Sequence, residues 1–60
     1  MEEIKVLKII MKRHGLSQEK VARELGISSR TVFRWLHKKN EPSELALIQI
    51  ERLIEKYKDA

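Results

Sequence analysis

Between Glu2 and His14, apolar side chains return every three or four residues, at Ile4, Leu7, Ile10 and Met11, the spacing that lines one face of an α-helix. Glu2 and Glu3 open this segment and Lys12, Arg13 and His14 close it, each sign of charge at the end of the helix dipole that favours it. Gly15 supplies the stop. Val6 and Ile9 fall outside the stripe, so the helix carries more apolar surface than one contact needs. It is either held between two neighbours or shared with a second copy of the chain. His14 is read as a surface residue with no role.

Ser17 caps a second helix over 18–25, with Lys20 where a capping box would place Glu or Gln. Val21, Ala22 and Leu25 form its buried side, and Gly26 ends it. Only Ile27 separates Gly26 from the next cap, Ser28, so the second and third helices must meet at a sharp angle through a very short turn. The third helix is expected over 29–39. Asn40, Glu41, Pro42 and Ser43 then stop it and start a fourth over 44–57, continuing by further turns through the terminal "EKYKDA". Ala46, Leu47, Ile50, Leu53, Ile54 and Tyr57 share one side of that helix. The pattern is all-α: a compact four-helix domain spanning residues 1–60.

The third helix divides its chemistry by face. On a helical wheel Val32, Trp35 and Leu36 point one way, Arg30, Arg34 and His37 point the other, and Phe33 sits on the border. Trp35 shares the direction of Val32, which makes it a core residue rather than a base-stacking platform. The chain has 60 residues, is 42% hydrophobic and 37% charged, and carries a net charge of +4. That composition fits a folded domain. The charge is unevenly spread: residues 28–40 hold four bases and no acid, whereas 41–60 hold three bases and five acids. A cationic helix face of this kind suits a polyanionic partner.

Ala22 lets two helix backbones approach, Gly26 accepts a positive φ, and Val21, Leu25, Ile27, Val32 and Trp35 supply the wedge that sets the interhelical angle. This ordered set resembles the helix-turn-helix of the phage repressor and Cro (XRE-type) family. The likeness runs from "GLSQEKVARELGIS" through "RW" to the "PS" that begins the fourth helix, covering Leu7 to Ile54. It implies a lambda-repressor-like fold with the helix-turn-helix at helices two and three, and a transcriptional regulator, a repressor acting by operator occupancy, that lays its third helix in the major groove of double-stranded DNA. By the same resemblance Ser29, Arg30 and Arg34 read bases. Phe33 either presses on a thymine methyl or packs at the edge of the core. Phosphate contacts fall to Gln18, Ser28, His37, Lys38, Lys39 and Asn40, with a solvated helix end as the alternative for the two lysines. Family members commonly pair an Arg near the end of helix one with a Glu after the Trp. Met11 and Leu36 stand at those positions here, so an apolar contact is expected to replace the ion pair.

Without Cys, and with only His14 and His37, no disulfide or zinc set is expected. No cofactor, small-molecule ligand or membrane span is indicated, and nothing marks an enzyme. A cytoplasmic, nucleoid-associated protein is the expectation. Val6, Ile9, Leu45 and Ile48, apolar but off the main stripes, are candidate homodimer contacts. The competing reading is a protein-interaction module of antitoxin or adaptor type that keeps the fold. A DNA-binding fragment of a larger recombinase or regulator is the other.

Overall fold

A computed structural model describes residues 2–58. It contains α1 (Glu2–His14), α2 (Gln18–Leu25), α3 (Ser29–Leu36) and α4 (Glu44–Lys58). The expected caps form. Ser17 Oγ accepts from the amide of Lys20 at 3.0 Å, Ser28 Oγ from that of Thr31 at 3.2 Å, and Ser43 Oγ from that of Ala46 at 3.2 Å. Each serine satisfies an amide that the first helical turn leaves without a partner. The expected continuation of α4 into Asp59 and Ala60 lies outside the described residues.

The first three helices close alike. One residue turns left-handed and the next amide reaches five residues back, from Leu16 to Met11 (2.8 Å), Ile27 to Ala22 (3.0 Å) and Lys39 to Arg34 (2.8 Å). For α2 the left-handed residue is Gly26, φ 72°. A Cβ there would meet nothing within 4 Å, so the glycine serves the dihedral and not the space around it. For α3 it is Lys38, φ 59°. This closure corrects the expected span: α3 ends at Leu36, and His37, Lys38 and Lys39 belong to the turn. The polar run after Leu36 contains no glycine to mark the stop, so the helix is three residues shorter than its local pattern suggests. A side chain at left-handed φ is strained by about 1 kcal/mol. Lys38→Gly should therefore raise stability by about 0.5–1 kcal/mol, less than the full strain because glycine also loosens the unfolded chain. Urea unfolding of the two proteins checks this, and an unchanged midpoint would count against strain at Lys38.

Packing places α1 against α3 and α4, and α2 against α3 and α4. The core joins Ile4 and Leu7 of α1, Val21 and Ala22 of α2, Val32, Trp35 and Leu36 of α3, and Ile50 and Leu53 of α4. Met11, Leu25, Ile27, Ala46, Leu47, Ile54 and Tyr57 pack on it. No polar or charged residue is buried among the described residues, so burial of apolar surface is the main term holding the helices together.

One polar clasp ties α2 to the end of α4. The Glu24 carboxylate accepts from Lys56 Nζ at 2.5 Å and from the Tyr57 hydroxyl, while His14 of α1 rests against the Tyr57 ring with centroids 5.3 Å apart. His14, expected as a surface residue with no role, thus packs against α4. The Lys56 hydrogen bond, then that of Tyr57, holds the Glu24 carboxyl below its ordinary value. A carboxylate depressed in the folded state adds stability above its unfolded pKa and loses it as pH falls through the folded value. Thermal unfolding midpoints should therefore fall less for Glu24→Gln than for the native protein between about pH 5 and pH 3. Parallel curves would remove the clasp from the acid response.

Candidate nucleic-acid interface

Local sequence and packing together orient α3. Val32, Trp35 and Leu36 are buried and hold one flank against α1 and α2. The opposite flank is then left to solvent, with Arg30, Phe33 and Arg34 exposed on it and Ser29 exposed at the first position of the helix. Among the described residues the single salt bridge is Lys56–Glu24, and neither arginine is tied to an acid. Phe33 is 43% exposed and stacks on the His37 ring, with centroids 4.1 Å apart. It belongs to the outer face. Arg30, Phe33, Arg34, Lys39 and Asn40 line one shallow depression on that face, so residues from the helix and from the turn after it converge.

The remaining phosphate candidates spread around this centre. Lys38 and Lys39 are exposed in the left-handed turn, where the backbone bonds back to Trp35 and Arg34 hold them in place. Gln18 is half-buried at the first position of α2. Ser28 is exposed, but its Oγ is already engaged by the Thr31 amide and by Thr31 Oγ1 at 2.9 Å. Its hydroxyl is thus a shared group, with its capping role established first. Gln18 and Ser28 do not line the depression.

The helix-turn-helix family model matches residues 7–58, from the second turn of α1 to the last residue of α4. The chain is a Cro/C1-type helix-turn-helix protein. Comparison with curated proteins and with solved structures returned no significant match. Membership makes the chain a DNA-binding helix-turn-helix regulator of lambda-repressor-like fold. It also gives the short joint between α2 and α3 its purpose: one rigid unit sets α3 at a fixed angle so that its outer face is presented as a block.

Two features of this helix-turn-helix protein depart from its family's habits or escaped the sequence. Met11 packs on the core that contains Leu36, so both positions of the usual ion pair are apolar and lie on the same core. The Glu24–Lys56–Tyr57 clasp joins residues more than thirty positions apart. No local pattern marks such a pair: Lys56 and Tyr57 are adjacent on a helix, where neighbouring side chains point apart, and only the packing of α2 on α4 brings both to one carboxylate. Of the off-stripe apolar residues, Ile9 (59%), Leu45 (71%) and Ile48 (45%) are exposed, and Val6 is half-buried. No helix among the described residues is long and apolar enough to cross a membrane.

Proposed function

We propose that this regulator acts as a repressor that occupies an operator, with α3 in the major groove. Arg30 and Arg34 read base edges, Arg34 at the centre of the exposed flank, and Ser29 adds a hydroxyl at the helix start. Phe33, stacked on His37, offers an apolar surface to a thymine methyl. Lys38, Lys39 and Asn40 hold the phosphates beside the reading helix, and His37, Gln18 and the Ser28 cap complete the backbone contacts. The observation that carries this reading is the pair of exposed guanidinium groups without an intramolecular acid, on the flank opposite Val32 and Trp35. Occupancy alone blocks competing proteins, so repression in the cytoplasm requires no catalytic group.

Val6, Ile9, Leu45 and Ile48 supply the surface for a homodimer, which would set two reading helices about 34–36 Å apart on a near-palindromic site. The exposure of Ile9, Leu45 and Ile48 favours this over a single copy. Selection of duplexes from a random pool, followed by anisotropy titrations at rising salt and sedimentation with and without DNA, tests both parts. Enrichment of one near-palindromic motif, steeply salt-dependent affinity and a two-to-one complex are expected. Enrichment of no motif would overturn base reading, and a one-to-one complex would overturn the dimer.

A further inference from the structure

Trp35 is almost wholly buried, at 6% exposure, and the edge it leaves uncovered faces a groove. With Ile4 and Pro42 it forms the apolar lining of a partly enclosed space between the start of α1 and the loop joining α3 to α4. The volume is about 280 Å³, roughly twice the ~150 Å³ of an apolar cavity that admits benzene. Such a space has room for a flat body of one or two rings. Lys5, Lys8 and Lys38 also line it, against one acid, Glu41. Lys5 and Lys8 are exposed, lie one turn apart on α1 and are not in a salt bridge among the described residues. Lys38 comes from the opposite wall and keeps a full side chain at a left-handed φ of 59°, where the neighbouring α2 uses glycine.

We propose that this groove binds a small amphipathic anion, its ring against Trp35, Ile4 and Pro42 and its carboxylate among Lys5, Lys8 and Lys38. Charge and shape select the occupant together. A carboxylate gains the attraction of three exposed ammonium groups that a neutral ring forgoes, and a bare inorganic anion forgoes the apolar contact. Asn40 lines both this groove and the depression on the outer face of α3, and Lys38 adjoins Lys39 in the same turn. Groove occupancy and phosphate contact therefore draw on one loop, and the anion lowers DNA affinity by the same factor as DNA lowers that of the anion. This coupling rests on the operator reading above, whereas binding of the anion does not.

The full chain, labelled with nitrogen-15 and free of DNA, is titrated with 1-naphthoate. The single Trp, which lines the groove, gives one indole N–H signal. Saturable shifts at Trp35 Nε1–H and at the Lys38 and Asn40 amides are expected, with naphthalene-1-carboxamide and inorganic phosphate both binding more weakly. Lys5→Gln with Lys8→Gln should weaken naphthoate about 3- to 10-fold without moving the unfolding midpoint, since both side chains are exposed. Equal binding of the carboxamide or of phosphate, full affinity in the double variant, or no saturation by about 10 mM, a millimolar limit generous for so small a ligand, would each overturn the site. In a second arm, naphthoate should weaken binding of a selected duplex by the native protein, and should reach the same effect in the double variant only at about 3- to 10-fold higher concentration. Unaltered duplex affinity would overturn the coupling alone, and a protein that binds no duplex would sink the operator reading while leaving the first arm intact.

Discussion

Leu36→Glu is expected to cost about 3–5 kcal/mol, because it places a carboxylate in an apolar core with no cation to meet it. Leu36 is 9% exposed, and no charged residue is buried among the described residues. A domain of this length has only roughly 3–9 kcal/mol to lose, so the variant should be largely unfolded at physiological temperature. Each kcal/mol moves the midpoint of so small a domain by about 4–8 °C, which makes a fall of at least ~12 °C the expected reading by circular dichroism. Adding Met11→Arg should recover part of that loss, since Met11 packs on the same core and would return the cation that the family usually supplies. A single variant that melts within a few degrees of the native protein would show that Leu36 is not held in the core. A double variant no better than the single would show that the two positions do not face each other.

Arg34→Ala should lower affinity for the selected duplex by about 5- to 150-fold, the equivalent of one bidentate base contact of about 1–3 kcal/mol. It should also relax sequence preference at one position of the site. Thermal stability should hold, because Arg34 is exposed and its side chain bonds to no acid in the described chain. Arg34→Lys separates the two parts of the contact: charge survives, so general affinity is kept in part, while the planar fork that grips two acceptors is gone and preference falls as for Ala. Full preference in the Lys variant would reassign Arg34 to a phosphate, and unchanged affinity and preference in the Ala variant would remove α3 as the reading helix.

Much of this architecture is written locally. The three serine caps, the glycine stops after α1 and α2, and the stripes of Ile4, Leu7 and Ile10 and of Ile50 and Leu53 are set by spacing and by the hydrogen bonds that helix ends need. The direction of Trp35 was legible for the same reason: with Val32 fixed inward, a residue three further on must follow it. The end of α3 was not legible. Its stop is a lysine at left-handed φ, a state that a glycine would have advertised and a lysine conceals.

By itself the chain determined four helices, a cationic outer flank on the third and the joint that carries it, because these depend on contacts within a few residues. Tertiary structure alone decided which distant groups meet. It brought Glu24 to Lys56 and Tyr57, set His14 on the Tyr57 ring, and turned Lys38 and Asn40 toward the lysines of α1 around the edge of Trp35. Those meetings follow from the angles at which helices cross, and a crossing angle is fixed by the packed core as a whole rather than by any one segment.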